Sequence, residues 1–300
     1  MRYSVLGVAQ VWDGGGAPVP LAGGRLRSLV TVLALHAGRA VPQDTLIAEV
    51  WADAPPADAA GALQALVARL RKAVGRDAVA SEPGGGYRLV AERDAVDLHL
   101  FETLLHDGEA ALDRGDPAAA RTTLSRALAL WRGPALADLP DRAAAAARPE
   151  ALRLAAMRAR AEADLALGRA ADALPLLREA VADHPLDEAF RAQLIRALRA
   201  AGRTADALMA YEDARTVLAE TLGADPGPEL RALHAALLRQ DPRPDPDPDM
   251  ASPGVPAPAP GGGAGARAGA GRGVDADRGP YQGTADPQAA APVRGTSGRG

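Results

Sequence analysis

The stretch Ala59–Val74 constrains the fold more than any other part of the chain, because its apolar residues recur at the spacing of an α-helix. They fall on one side of that helix and comprise Leu63, Leu66, Val67, Leu70 and Val74. At about 100° per residue, the opposite side carries small residues and positive charge. Such a helix can pack one face on a core and lay the other in the major groove of DNA. An ordinary amphipathic surface helix with a basic end has the same pattern, so the flanking elements must decide between the two interpretations.

The residues before this helix predict a small sheet followed by two further helices. Residues 2–12 alternate like a strand, a glycine-rich turn follows, and residues 18–21 form a second short strand. Residues 24–37 and 42–51 have apolar side chains at helical spacing. The stretch that opens this section is therefore the third helix of its region.

The residues after the third helix predict a β-hairpin over 78–90, with the run Pro83-Gly84-Gly85-Gly86 at its tip. Taken alone, this tip has a simpler interpretation as a loose turn. The order of sheet, three helices and hairpin, with a basic third helix, is typical of a winged helix in which the hairpin is the wing. We therefore expect a winged helix-turn-helix DNA-binding domain over residues 1–93.

The candidate DNA-binding residues lie on the third helix outside its apolar stripe, with Arg71 at the edge of that stripe, or are arginines of the first helix and the hairpin. They are Gln64, Ala65, Ala68, Arg69, Arg71, Lys72, Arg88, Arg25 and Arg27. The amide of Gln64 suits a base edge, whereas the cations suit phosphate contacts, which position the protein without specifying sequence. Residues 1–93 carry ten basic and eight acidic side chains, so binding must depend on where the charges lie.

Residues 97–240 have helical periodicity throughout, and three segments within them are similar. Each begins at a glycine (Gly115, Gly168 or Gly202) and has alanine three, five and twelve residues later. The last two glycines are 34 residues apart, the period of tetratricopeptide repeats. Small residues at these positions let paired helices pack closely. We expect an all-α tetratricopeptide-like domain that serves as an interaction surface, with one short extra element between the first two repeats.

The composition changes after residue 240. Pro and Gly make up 24 of the last 60 residues, and Tyr281 is the only aromatic residue among them. Such a segment cannot bury enough apolar surface to fold alone, so residues 241–300 are predicted to be a disordered tail. The expected fold class is mainly α, consisting of the α+β winged helix, the helical repeat domain and this tail.

No pattern in the sequence indicates catalytic chemistry. Cysteine is absent, which excludes disulfides and thiolate metal sites, and the five histidines lack metal-ligand spacing. The sequence has no nucleophile elbow, phosphate-binding glycine loop or carboxylate pair. It also has no signal-peptide core at its start and no stretch apolar enough to span a membrane. We expect a cytoplasmic protein that is not an enzyme and has no cofactor, metal or membrane partner.

Nine motifs in a fixed order link the winged-helix region to the helical region. They are VLG at 5–7, HAGRAV at 36–41, LIAEVW at 46–51, ALQALVARLRKAVG at 62–75, GGYRL at 85–89, VDLHLFETLL at 96–105, ALALWRGPALADL at 127–139, DHPLDEAFRAQLIRAL at 183–198 and LGADPGPELRALHAALLRQDP at 222–242. A chain with these motifs resembles the Streptomyces antibiotic regulatory protein (SARP) family over residues 1–240. The resemblance implies an OmpR-type winged helix followed by a bacterial transcriptional activator domain.

The same resemblance implies a function and a set of partners. The function is activation of transcription of a secondary-metabolite biosynthetic gene cluster. The partners are double-stranded DNA carrying direct repeats near a promoter, further copies of the chain bound side by side, and RNA polymerase holoenzyme. The alternative hypothesis is a tetratricopeptide-like interaction scaffold whose degenerate winged helix no longer binds DNA.

Overall fold

The computed structural model describes residues 1–239, which form ten α-helices and two three-stranded sheets. Both sheets lie within the first 89 residues and every later regular element of the described chain is a helix, so the predicted mainly α fold is confirmed. The predicted disordered tail lies outside the described residues. None of the described helices is both long enough and apolar enough to cross a membrane.

The first sheet is antiparallel and consists of β1 (Arg2–Ser4), β2 (Gln10–Trp12) and β3 (Pro18–Val19), in that order. The prediction of one continuous strand over residues 2–12 is therefore wrong. The chain turns back after β1, and Tyr3 pairs with Val11 across the turn.

Residues far along the chain hold the turn between β1 and β2. The N–H groups of Val5 and Leu6 donate to the buried carboxylate of Asp97 at 2.7 and 3.2 Å. Gly7 has a φ of +134°, which side chains other than hydrogen rarely permit. The N–H groups of this turn are paired with a residue more than 90 positions away. The alternation of polar and apolar residues within 2–12 therefore does not reveal the turn.

Three helices follow the first sheet. They are α1 (Gly24–Leu35), α2 (Gln43–Trp51) and α3 (Ala59–Val74), and each lies where the sequence predicts it. Both α1 and α2 contact α3, so the three helices form one cluster.

The second sheet contains β4 (Ala40–Val41), β5 (Val79–Ser81) and β6 (Tyr87–Leu89), with β6 in the centre. Antiparallel pairing of β5 with β6 confirms the predicted hairpin. The sequence did not predict β4, because two residues are too few for periodicity to reveal.

Seven helices complete the described chain. They are α4 (Asp97–Asp113), α5 (Pro117–Leu128), α6 (Ala143–Ala166), α7 (Ala170–Asp183), α8 (Glu188–Ala200), α9 (Thr204–Leu222) and α10 (Pro228–Arg239). Each of these helices contacts the next one along the chain.

The predicted repeats correspond to the pairs α4–α5, α6–α7 and α8–α9. The three repeat glycines follow the first helix of each pair and have similar φ values of +74°, +69° and +75°. The alanines five and twelve residues later are fully buried; they are Ala120, Ala127, Ala173, Ala180, Ala207 and Ala214. The alanines three residues later are exposed, so close packing at that position is a wrong prediction. Positions three and five lie about 200° apart around a helix, and only one of them can face the partner helix.

The extra element predicted between the first two repeats is an irregular segment, residues 129–142, that packs on the winged helix. The Arg132 N–H donates to the Leu6 carbonyl and the Leu136 N–H donates to the Val5 carbonyl, both at 2.9 Å. The segment therefore joins the start of the chain to the helical region.

Hydrophobic packing continues across the predicted domain boundary between residues 93 and 97. One buried cluster extends from β1 through the winged helix into α4, α5 and part of α6. A second cluster contains other residues of α6 and the helices from α7 to α10. Residues 1–239 accordingly lie within one compact unit, in which the winged helix shares its core with the first helix pair.

Candidate nucleic-acid interface

The apolar stripe of α3 is the part of the helix that packs on the core. Its five residues, Leu63, Leu66, Val67, Leu70 and Val74, are the buried residues of the helix. The orientation predicted for α3 is therefore confirmed, and its opposite side faces outward.

The outward side of α3 consists of Gln64, Ala65, Ala68, Arg69 and Lys72, all of which are exposed. Residues three and four apart are neighbours on a helix surface, so the five form one continuous surface, here called the recognition face. Small side chains lie at its centre, with one amide and two cations around them. Lys72 lies in the last turn, where a positive charge also complements the helix dipole.

The N-terminus of α3 is closed by Asp58, whose carboxylate accepts a hydrogen bond from the Gly61 N–H at 2.8 Å. A β-carbon at position 61 would collide with that carboxylate. Glycine at position 61 therefore leaves space for the carboxylate of Asp58. That carboxylate satisfies a backbone donor that the helix itself cannot pair.

Arg71 lies at the edge of the apolar stripe and contacts the wing. Its Nε and Nη2 atoms donate to the Val79 carbonyl at 2.9 and 2.8 Å, and Nη2 also donates to the Ser81 hydroxyl at 2.9 Å. The guanidinium carbon lies 5.8 Å from the centre of the Tyr87 ring. The guanidinium of Arg71 thus joins α3 to the wing through these hydrogen bonds.

Arg88 lies on the other face of the wing. Side chains alternate along a strand, so Arg88 points away from the face that Tyr87 and Leu89 share. Its Nε atom forms an ion pair with Glu82 at 2.7 Å, which links the two arms of the hairpin. The structure therefore does not bring Arg88 together with the recognition face.

The glycine tip of the wing meets a steric requirement within the protein. A β-carbon at Gly86 would collide with the carbonyl oxygen of Val41 in β4, and φ is +115° at this glycine. Gly84 and Gly85 lie further out and are exposed. One glycine therefore permits the third strand to pair, while the other two leave the tip uncovered by side chains.

The start of α1 lies beside the recognition face. Nη2 of Arg69 donates to the Ala22 carbonyl, two residues before the helix, at 2.8 Å. Arg25, in the first turn, is exposed and donates from Nη1 to the Val50 carbonyl at 2.5 Å. Arg25 and Arg69 thus add positive charge near the same end of α1.

Arg27 connects the winged helix to the irregular segment 129–142. Its Nε atom pairs with Asp138 at 2.6 Å, and that carboxylate also accepts the Ala9 N–H at 2.7 Å. Ser28 donates to the Asp138 carbonyl at 2.6 Å. These contacts assign Arg27 to the junction between the two regions.

Two family profiles match the chain. The profile for "Transcriptional regulatory protein, C terminal" matches residues 18–89, and the profile for "Bacterial transcriptional activator domain" matches residues 96–238. Regulatory protein DnrI of Streptomyces peucetius is 36% identical over 255 residues, which cover 81% of this chain and 93% of DnrI. This chain belongs to the SARP family.

Other SARP relatives are longer. Regulatory protein AfsR of Streptomyces griseus is 39% identical over 248 residues, covering 80% of this chain, which spans only 25% of AfsR. A solved structure of Mycobacterium tuberculosis EmbR in complex with a low affinity phosphopeptide matches with a TM-score of 0.73 and 36% identity. That match covers 80% of this chain and 65% of the EmbR chain. The likeness to the SARP family therefore extends from sequence to tertiary structure, and the matched domains are those of transcription regulators.

One exposed cation near α3 was not among the residues predicted from the sequence. Arg76 directly follows Gly75, at which α3 ends, and begins a single 3-10 turn. Its position just outside the periodic stretch removed it from the helix pattern. An arginine directly after the glycine that ends a basic helix was the sequence signal that could have identified Arg76.

Proposed function

We propose that this SARP-family protein is a sequence-specific transcription activator that places α3 in the major groove of double-stranded DNA. The recognition face carries the proposal, because it combines small side chains, an amide and two cations on a helix whose other side is buried. A helix enters the major groove where its outward side chains permit close approach and can pair with base edges.

The exposed residues have separate roles in this proposal. Gln64 pairs with a base edge, and Ala65 and Ala68 permit close approach or contact a thymine methyl group. Arg69 and Lys72 contact phosphate and fix the register of the helix on the duplex.

The other cations of the winged helix have supporting roles in this proposal. Arg25 and Arg76 add exposed positive charge beside it. Arg71 is a positioning residue that sets the angle between α3 and the wing, while Arg88 and Arg27 stabilise the wing and the domain junction through ion pairs.

Family membership supports the wider proposal. In it, copies of the protein bind direct repeats near a promoter side by side and recruit RNA polymerase holoenzyme in the cytoplasm. The regulated genes encode a secondary-metabolite biosynthetic pathway, and the protein has no catalytic activity of its own. The winged helix occupies residues 1–93 and the activator domain residues 97–240.

The experiment compares the wild type with the Arg69→Ala/Lys72→Ala variant. Affinity is measured by fluorescence anisotropy at several salt concentrations, on duplexes from neighbouring intergenic DNA and on a scrambled duplex. Two lost phosphate contacts lower the salt slope by about two and weaken binding to both duplexes alike. Gln64→Ala instead narrows the difference between the duplexes by about 1–3 kcal/mol.

The matched control is Arg126→Ala/Arg178→Ala, which removes the same charge from exposed positions on α5 and α7. It should leave the salt slope unchanged. Equal slopes and affinities for all three proteins would show that α3 is not in the groove. That result would favour the protein-interaction scaffold, in which the stacked helices provide the functional surface.

A further inference from the structure

A basic cleft lies between the winged helix and the helical region, apart from the recognition face. Its volume is about 280 Å³. Its charged and imidazole side chains, here called the junction cluster, are Arg39, Arg93, Arg148, His36, His99 and Glu102. The cleft is therefore lined by three guanidinium groups, two imidazoles and a single carboxylate.

Distant parts of the chain supply this cluster. Arg39 comes from the loop between α1 and β4, and Arg93 comes from the 3-10 turn that joins the two regions. His99 belongs to α4 and Arg148 to α6. The cleft therefore exists only because the winged helix and the helical region pack as one unit, and ligand sites occur preferentially at such domain interfaces.

Glu102 is shared by three members of the cluster. Arg148 Nη1 lies 2.8 Å from Oε1, while Arg93 Nη2 and His99 Nδ1 lie 3.5 and 3.4 Å from Oε2. Arg39 forms no ion pair with any residue in 1–239. Because the cleft contains three guanidinium groups and only one carboxylate, it carries excess positive charge.

His99 supplies a second, independent observation. The residue is only 8% exposed and lines the cleft, and its Nε2 atom has no hydrogen-bond partner within the described part of the chain. A buried polar atom without a partner lowers stability, so a ligand that enters the cleft deeply enough to meet Nε2 relieves this loss.

We propose that the junction cluster binds a small ligand bearing a phosphate group. Phosphate oxygens match the forked donors of guanidinium groups, and arginine is the side chain best suited to pair with them. A ligand held by Arg39, Arg93 and Arg148 contacts the winged helix, the connecting turn and α6 together. Its binding stabilises the relative arrangement of the two regions. The inference does not depend on DNA binding.

The test is isothermal titration calorimetry of the full chain with inorganic phosphate, in chloride buffer at constant ionic strength. Ribose 5-phosphate, titrated beside ribose, distinguishes a phosphomonoester ligand from free phosphate. Wild-type protein should bind phosphate in a saturable manner. Arg39→Gln/Arg148→Gln should weaken binding by about tenfold or more, because it removes two charged donors.

Glu102→Gln gives the sharper result. Removing the only carboxylate should tighten phosphate binding by about fivefold, since a like charge close to the ligand is lost. A variant that merely disturbs folding would weaken binding instead. The matched control is Arg178→Gln, an exposed arginine of α7 away from the cleft, which should bind phosphate like the wild type.

Three outcomes overturn the proposal. One is the absence of binding heat for both the wild type and Glu102→Gln up to about 10 mM phosphate, which covers dissociation constants of millimolar order. Another is a salt slope for DNA binding that falls by about one in Arg148→Gln, because the cleft would then hold backbone phosphate of the duplex. Phosphate binding with no effect of any cluster variant would place the ligand elsewhere and also exclude this site.

Discussion

Arg71 of α3 and Val79 of the wing are joined by two hydrogen bonds, in which Nε and Nη2 donate to one carbonyl oxygen at 2.9 and 2.8 Å. Nη2 also donates to the hydroxyl of Ser81, on the same strand. A guanidinium presents its N–H groups in a rigid fork, so this contact fixes direction as well as distance. The angle between the helix and the wing is therefore held by a residue whose charge alone suggests a phosphate contact.

Arg71→Ala should weaken DNA binding by about tenfold without changing the salt slope, because the wing loses its fixed position while no phosphate contact is lost. The free energy of unfolding should fall by about 1–2 kcal/mol. Arg71→Lys should behave similarly, since an ammonium group cannot reproduce the fork. Anisotropy titrations at several salt concentrations and urea denaturation measure the two effects.

Lys72→Ala is the matched control for this prediction. Lys72 is exposed on the recognition face, so its loss should lower the salt slope by about one and leave the urea midpoint unchanged. If Arg71→Ala gave that pattern instead, Arg71 would contact phosphate and the positioning role would be wrong.

The ion pair between Arg27 and Asp138 should contribute measurably to stability because the carboxylate is mostly buried, with 7% of its side chain exposed. A double-mutant cycle with Arg27→Ala and Asp138→Ala should give a coupling energy of about 1–2 kcal/mol. The control cycle uses Arg203 and Asp206, an exposed pair on the surface, for which about 0.5 kcal/mol or less is expected. Equal coupling in the two cycles would contradict a role for Arg27 at the junction.

Asp97→Ala should lower the free energy of unfolding by about 2–3 kcal/mol. It leaves the buried N–H groups of Val5 and Leu6 without their acceptor and removes the partner of Arg132. Asp94→Ala, at an exposed position three residues earlier, is the control and should change stability little. Urea denaturation at fixed pH compares them, and similar midpoints would show that Asp97 does not hold the turn after β1.

The contribution of Asp97 should also depend on pH. Burial raises the pKa of Asp97, and the hydrogen bonds from Val5 and Leu6 and the charge of Arg132 oppose this rise. Because the folded-state pKa lies above the ordinary value of about 3.9, the folded protein binds the proton more tightly than the unfolded chain. The stability that the wild type gains over Asp97→Ala should therefore be largest below that ordinary value. This stability difference should decline as the pH rises through the folded-state pKa. A difference that increased with pH would contradict the prediction.

Ala207→Leu should lower the free energy of unfolding by about 1–3 kcal/mol, because position 207 is fully buried and a larger side chain there is expected to overpack the contact between helices. Ala205→Leu makes the same chemical change two residues earlier at an exposed position of α9. It should be nearly neutral. Thermal melts that show equal losses for both variants would contradict the repeat register.

The sequence alone determined the elements whose signal is local. The apolar period of α3 predicts its bounds and its buried face, and the alternation around the glycine tip predicts the hairpin of β5 and β6. Two of the three alanine positions in the glycine–alanine repeat likewise located buried positions of the helix pairs, whereas the third is exposed. These features follow from the spacing of side chains along one element, and a short stretch of sequence is enough to show that spacing.

The tertiary structure decided which charged residues hold the wing and the domain junction in place. Arg27 pairs with a residue 111 positions later, and Asp97 accepts hydrogen bonds from residues more than 90 positions earlier. Arg71 reaches only eight residues along the chain, but a sequence does not show whether a guanidinium bends toward the wing or outward to DNA. Of the candidates on α3, the recognition face therefore keeps Gln64, Ala65, Ala68, Arg69 and Lys72 and leaves out Arg71. Hydrogen-bond partners depend on distances that only the folded chain defines.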